Sequence, residues 1–455
     1  MTRWNPSRLP RYGLRSYERI WRASPPTILA GGFLFLILLG TLLLKLPICL
    51  QQPVGWQEAL FTATSAVTVT GLVTVDVGGH FTLWGELVLM LLIQAGGLGL
   101  MTFSVVTLLM LGHRISLRHE LVAREAINQT SLSSVKKTSM AVLRMALTLE
   151  AVGFVLLAIF WIPDMGWSKG SWWALFHSIS AFNNAGFGLS ANSLMDYSGS
   201  FGINLVISAL YVLGGLGFAV MVSLISYREQ GHLPINTRLV LYTTVGLNVA
   251  AMVLILLLES DNPATLEGMD GWGEQLWAAW FQATTPRTAG FNTVDIGALN
   301  HSTCMILILL MFIGAGSNST GSGIKINTFV VLLSATWSFI RRYQAPTLFG
   351  RGIPSETVLK ALAVSVMAMM VVFLGIFMLT VTEKADYLDV VFEVVSAFGT
   401  VGLSRGLTPE LSTLSQWVLM VVMFVGRLGP LTLAFLLATP RRSMIRHAEA
   451  EIQIG

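Results

Sequence analysis

The stretch WFQATTPRTAGF, Trp280–Phe291, decides the fold, because the same chain holds three relatives of it. Aligned on Gly290, it matches LFTATSAVTVTGL (Leu60–Leu72) at Gly71, LFHSISAFNNAGF (Leu175–Phe187) at Gly186 and VFEVVSAFGTVGL (Val391–Leu403) at Gly402. Each copy opens on apolar and aromatic residues. Each carries a Ser or Thr six residues before the glycine (Ser65, Ser180, Thr284, Ser396) and a Leu or Phe just after it. The glycines lie 115, 104 and 112 residues apart. A solenoid unit is roughly 20 to 50 residues, so this longer period fits two membrane crossings with a re-entrant segment between them. Four such units predict four similar walls around one axis.

Composition agrees with a membrane protein. The 455 residues are 54% apolar and 11% charged, with a mean hydropathy of +0.69; a soluble domain has about 25% charged residues. A net charge of +4 gives no argument for nucleic acid. Cys49 and Cys304 have no disulfide or metal spacing and read as inert thiols. Six arginines precede Thr27–Leu46, an apolar run too long for a signal peptide and without a small-residue cleavage site. It reads as the first retained crossing.

Apolar runs able to span, roughly 20 residues, fall at 27–46, 83–111, 140–161, 203–225, 238–258, 303–340, 358–380 and 415–438. The predicted fold class is an all-α polytopic membrane protein with eight transmembrane helices. Its organisation is a segment 1–26, pore repeats 27–111, 140–225, 238–340 and 358–438, and a tail 439–455. Segments 56–71, 171–186, 272–290 and 386–402 are too short to cross and read as re-entrant. Non-helical backbone at membrane depth needs a cavity or surrounding protein. The face holding the termini and the links at 112–139, 226–237 and 341–357 carries 21 Lys/Arg, against 5 on the other, which predicts cytosolic termini. The 16 acids of the opposite face are read either as solvated or as raising cation concentration at a pore mouth.

A cation stripped of water needs rings of oxygen, which backbone carbonyls supply when glycine allows the required conformation. The expected positions are Val69-Thr70-Gly71, Asn184-Ala185-Gly186, Thr288-Ala289-Gly290 and Thr400-Val401-Gly402, each approached by the negative end of a short helix. The sixth crossing is interrupted by GAGSNSTGSG, Gly314–Gly323, four glycines among serines, a threonine and an asparagine. It cannot hold a regular helix. The helix should break there and restart near Lys325, leaving Gly314, Gly316, Ser317, Asn318, Ser319, Thr320, Gly321 and Gly323 as a gate loop below the filter. A P-loop would place Lys directly after the last glycine; here Ile324 intervenes.

Arg427, near the centre of Val418–Leu437, is expected to face the bundle interior or pair with the gate, snorkelling being the alternative. Lys325 has a similar position. Glu150 reads as a hydrogen-bonded acid within its helix rather than an ion ligand. Arg287 is expected either to brace the third segment against an acid such as Asp295 or to be solvated. His177 and Asn183-Asn184 are expected to support the second segment from behind. The seven histidines show no ligand spacing and no nucleophile–base set stands out, so no catalytic residue is assigned.

The repeats with one filter glycine each, SAFNNAGF, RTAGFN, the break ending in GIK and GRLGPLT (Gly426–Thr432) resemble the Trk/Ktr/HKT potassium transporter superfamily over essentially the whole chain. Eight crossings without an additional N-terminal helix pair are most similar to the membrane subunits of bacterial Ktr systems. The resemblance implies potassium uptake at the cytoplasmic membrane, often sodium-dependent. It also implies a homodimer on a cytosolic nucleotide-binding ring of the RCK type, with nucleotide held only by that partner. It assigns Gly71, Gly186, Gly290 and Gly402 as filter glycines, and Gly71 as a mark of the potassium-selective group. Ser322 stands where many members have another glycine. A secondary transporter for an organic solute or anion would fit the broken crossing but usually has two repeats, and an intramembrane enzyme lacks a convergent acid–base or metal set.

Overall fold

The computed structural model describes residues 25–99, 132–269, 271–343 and 345–429. Segments 1–24, 100–131 and 430–455 lie outside the described residues, and with them the ends of the runs 83–111 and 415–438 and the end of GRLGPLT. The described chain is helical apart from one short hairpin, Thr347–Leu348 with Arg351–Gly352. In chain order the longer helices are α1 (Pro25–Leu44), α2 (Trp56–Thr68), α3 (Leu83–Gly97), α4 (Leu132–Met165) and α5 (Trp167–Phe182). There follow α6 (Phe201–Leu216), α7 (Phe218–Ile225), α8 (Ile235–Glu259), α9 (Trp272–Thr284) and α10 (His301–Ile313). The last are α11 (Ile326–Ile340), α12 (Ser355–Thr382), α13 (Tyr387–Gly399) and α14 (Thr413–Leu428).

Among the described residues, four helices are long and apolar enough to cross a membrane alone, at Thr27–Leu44, Ser139–Met165, Ile235–Glu259 and Ser355–Thr382. Their outward faces are apolar and exposed, as at Phe35, Ile159, Leu257 and Phe373. A soluble protein does not leave such surface to water. The shorter apolar helices are α3, α10, α11 and α14. The run 203–225 departs from the expectation of one regular crossing. It is bent by 99° between α6 and α7, at Gly217, whose φ of +96° favours glycine.

The short helices α2, α5, α9 and α13 lie in the four stretches read from sequence as re-entrant. Each begins on an exposed aromatic, Trp56, Trp167, Trp272 or Tyr387, the residue type that settles at a membrane–water interface. Each then runs into buried Ala and Phe with a buried Ser or Thr. The Leu or Phe after each glycine anchors its segment: Leu72, Phe187, Phe291 and Leu403 are all at most 2% exposed. Phe187 packs in the cluster built on α1–α3, and Phe291 in the cluster built on α4–α6. Leu72 packs with Leu403 in the cluster of α8, α10 and α12–α14. Phe187, Phe291 and Leu72 thus each pack into a cluster built on helices other than those flanking their own segment.

Candidate functional site

The four glycine segments meet. Gly71, Gly186, Gly290 and Gly402 all have positive φ, from +68° to +93°. A Cβ on Gly71 would sit 2.5 Å from the carbonyl oxygen of Ala185, and one on Gly186 would sit 3.0 Å from that of Ala289. On Gly290 it would lie 2.1 Å from Val401 O, and on Gly402 2.3 Å from Thr70 O. The middle carbonyl of each segment therefore lies against the glycine of the next, in the closed order 71, 186, 290, 402. No other residue fits at these four positions without moving backbone.

The residue two before each glycine is also left-handed: Val69 (φ +58°), Asn184 (+59°), Thr288 (+76°) and Thr400 (+47°). For branched side chains this is a strained conformation that the surroundings must hold. Local hydrogen bonds do so. Thr70 N–H donates to Ser65 O (2.8 Å), Ala185 N–H to Ser180 O (2.8 Å) and Val401 N–H to Ser396 O (2.9 Å). The Ser65 and Ser396 hydroxyls accept from Gly71 and Gly402 N–H (3.0 and 3.2 Å), and Ser180 Oγ donates to Phe187 O (2.8 Å).

The third segment differs from the alignment by one residue. Thr285, not Thr284, holds it: its hydroxyl donates to Phe291 O (2.6 Å), and its carbonyl accepts from Ala289 N–H (2.9 Å). Thr284 instead bonds Tyr211 (2.6 Å). Pro286, which has no N–H, stops the helical ladder early and tightens this turn.

Helix α10 ends at Ile313 and α11 begins at Ile326. The break between them packs on the bend of α6 and α7. Gly316 N–H donates to Gly215 O (2.9 Å), Thr320 N–H to Gly214 O (3.4 Å), and Phe218 N–H to Asn318 O (3.0 Å). Two interrupted helices thus satisfy each other's backbone, the condition for irregular chain among apolar surroundings. A Cβ on Gly217 would meet Ser317 O at 2.4 Å, and one on Gly314 would meet Ser322 O at 2.1 Å. The break is not separate from the glycine segments. Thr320 Oγ1 donates to Asn184 Oδ1 (2.8 Å), Asn184 Nδ2 donates to Thr288 Oγ1 (3.3 Å), and Gly321 abuts the Thr288 side chain. Thr400 Oγ1, at the equivalent place, has no hydrogen-bond partner among the described residues.

Three cations hold the break, Arg287 buried and Arg427 and Lys325 half-buried. Arg427 donates to Thr320 O and to the carbonyls of Gly96 and Gly97 at the end of α3, the last at 3.3 Å. It does not snorkel. Lys325, at φ +66°, donates back to Gly321 O. Arg287 corrects both readings given to it from sequence: it is buried, and it does not touch Asp295, which accepts from Gly297 N–H in its own turn. Its guanidinium donates to Gly314 O (3.3 Å), Asn248 Oδ1 (3.0 Å) and Thr244 Oγ1 (3.3 Å). These polar groups of α8 were invisible in an apolar run, although Thr244 and Asn248 sit one helical turn apart.

Behind the second segment, Glu150 bonds across helices rather than within its own. It accepts from Gln94 Nε2 (2.9 Å) and Asn183 Nδ2 (3.0 Å), and Asn183 also donates to Gln94 Oε1 (2.7 Å). His177 pairs through Nδ1 with Trp173 O (2.9 Å) and accepts from Leu189 N–H at Nε2 (3.5 Å). Cys49 and Cys304 are buried free thiols, Cys304 lying 2.8 Å from Arg405 Nη1.

The family model described as "TrkH: Cation transport protein" matches residues 27–446. The chain belongs to that family. It is a family of ion transporters, not enzymes, and with the apolar helices it makes the chain an integral membrane protein. The chain is 46% identical over 434 residues to the Ktr system potassium uptake protein B of Bacillus subtilis, covering 95% of this chain and 97% of that protein. It is 43% identical over 436 residues to its namesake in Vibrio alginolyticus, covering 95% and 96%. It is 35% identical to the potassium/sodium uptake protein NtpJ of Enterococcus hirae, covering 95% and 98%. The crystal structure of the potassium transporter TrkH from Vibrio parahaemolyticus superposes with a TM-score of 0.70 at 22% identity, covering 90% of this chain and 85% of that one, a likeness of fold.

Proposed function

We propose that the chain takes up potassium through a pore whose selectivity filter is the ring of four glycine segments. The observation that carries this reading is the closed order in which Ala185, Ala289, Val401 and Thr70 present their carbonyls to Gly71, Gly186, Gly290 and Gly402. Backbone oxygens from four sides replace a hydration shell, and they favour an ion that sheds water readily. The names of the relatives support potassium as substrate. The name of the Enterococcus relative makes sodium the candidate coupled ion. Each pair of flanking helices with its glycine segment is one of four repeats in pseudo-fourfold arrangement. On that reading eight crossings pass the bacterial cytoplasmic membrane and both termini are cytosolic, as the basic residues favour.

The break at Gly314–Gly323 is the gate. Thr320 and Gly321 lie against Asn184 and Thr288, and Arg427 and Lys325 fix the loop by its carbonyls. In this position the loop and its cations oppose passage. A separate cytosolic nucleotide-binding ring, on which a homodimer of this chain sits, would move it; the word "system" in the names of the relatives fits a second subunit.

The test is rubidium uptake in a bacterium deficient in potassium uptake, with and without sodium, for the native chain and for Gly290→Ser. The native chain should restore uptake, and the serine variant should lose preference for rubidium over sodium. Unchanged preference in the variant would remove these segments from ion selection.

A further inference from the structure

We propose that Glu393 is a specificity-determining residue, which positions the fourth glycine segment for potassium. The inference rests on the filter reading above. Helix α13 carries Asp389 and Glu393 one turn apart, on one face. Both reach forward to the chain just beyond Gly402. Glu393 Oε2 accepts from Ser404 Oγ (2.8 Å) and its Oε1 from Thr408 Oγ1. Asp389 Oδ1 accepts from Arg405 Nε (2.5 Å), and Ser404 Oγ in turn accepts from Gly406 N–H (3.1 Å). The segment is thus fixed at one end by Ser396, through Val401 and Gly402 N–H, and at the other by two carboxylates of its own helix.

The other three segments have no such brace. Nine residues before the glycine, where the fourth has Glu393, stand Thr62, His177 and Phe281; thirteen before, in place of Asp389, stand Glu58, Trp173 and Trp277. Thr62 donates to Glu58 O within α2, and Glu58 accepts from Gly55 N–H at the start of the same helix. His177 reaches its outgoing strand at a long 3.5 Å, and Phe281 is core. Burying a carboxylate is costly unless its lone pairs are used, and Glu393 is fully buried with its two known donors on the outgoing strand. Bonds that meet such a cost fix the segment's outer end more firmly than a hydrophobic contact would. The fourth segment is therefore the rigid side of the ring, and ion fit depends on it most.

The test compares rubidium uptake kinetics and rubidium-over-sodium preference in Glu393→Ala, Glu393→Gln and the pair Ser404→Ala with Thr408→Val, each normalised to protein in the membrane. Glu393→Ala and the hydroxyl pair should raise the apparent KM about fivefold or more and lower the preference, with maximal rate changed less than about twofold. Glu393→Gln keeps an acceptor and should restore most of both. Glu259→Gln is the control. Glu259 is an equally buried acid that holds Asn262, Thr265, Asn300 and Thr303 away from the segments, so its loss should lower abundance without moving KM. If Glu393→Ala changes only abundance, or leaves KM and preference at the native values, the proposal is wrong. Gly402→Ser, run alongside, separates the readings: lost preference there with a native Glu393→Ala keeps the filter and rejects the brace, and native behaviour in both rejects the filter.

Discussion

The two ends of the glycine segments are held by side chains of opposite charge. At the end beside the break, Arg287, Lys325 and Arg427 donate to main-chain carbonyls. At the other, Asp389 and Glu393 accept from a guanidinium and from hydroxyls. Each set answers a local need. Helices that stop leave orphan carbonyls, which need donors; loops returning from the segments bring N–H and hydroxyl groups, which need acceptors. The two sets do not neutralise one another. Among the described residues the only ion pairs are Lys360–Glu356, exposed, and Arg405–Asp389. On the proposed reading, a cation passing from the acidic end to the basic end meets fixed positive charge at the break until the loop moves.

The sharpest way to break this contrast is Arg427→Ala. It strips donors from Thr320, Gly96 and Gly97 and removes a charge, and charge-assisted hydrogen bonds are each worth about 1.5–3 kcal/mol. Maximal rubidium flux should rise about tenfold, the equivalent of 1.4 kcal/mol, with Arg427→Lys in between. A fall in flux at native protein level would show that the guanidinium supports the open path instead.

A smaller effect is expected of Thr320→Val, which keeps the shape and removes the hydroxyl from Asn184 Oδ1. Rubidium-over-sodium preference should drop about threefold, near the 0.5–1.5 kcal/mol of one neutral hydrogen bond, and Thr320→Ser should retain it. Preference unmoved by the valine would mean that the loop and the segments act independently. The least change in basal transport should come from reversing Arg341 and Arg342, exposed at the end of α11, where Arg341 lies 4.9 Å over the Trp337 ring. Basal flux and topology should persist while activation by the proposed cytosolic ring falls. Co-purification of the ring with intact nucleotide response would relocate its docking surface.

How much of this was written in the sequence depends on what kind of signal carried it. The repeat of Gly71, Gly186, Gly290 and Gly402 is legible because positive φ leaves glycine almost no substitute. The break at Gly314–Gly323 is legible for the same reason. Aligning on the glycine alone missed the shift to Thr285, since Pro286 changes the turn without changing the spacing. The bend at Gly217 had its signal in Gly214, Gly215 and Gly217, but an unbroken apolar run hid it. Arg287 could not be placed, because its partners Thr244, Asn248 and Gly314 come from other helices, and nothing in the chain's order brings them together. The acids Glu259 and Glu393 were read as solvated or as collecting cations; their partners are short polar side chains that only folding delivers.

The interlock of the bend with the break also imposes an order of events on synthesis. Gly214 and Gly215 leave the ribosome about 100 residues ahead of Gly316 and Thr320, whose N–H groups complete them. Until then the carbonyls of Gly214 and Gly215 at the end of α6 lack the donors that the folded chain gives them. The bend is thus an acceptor made early in the chain whose donors are made late, and the same few hydrogen bonds complete both interruptions.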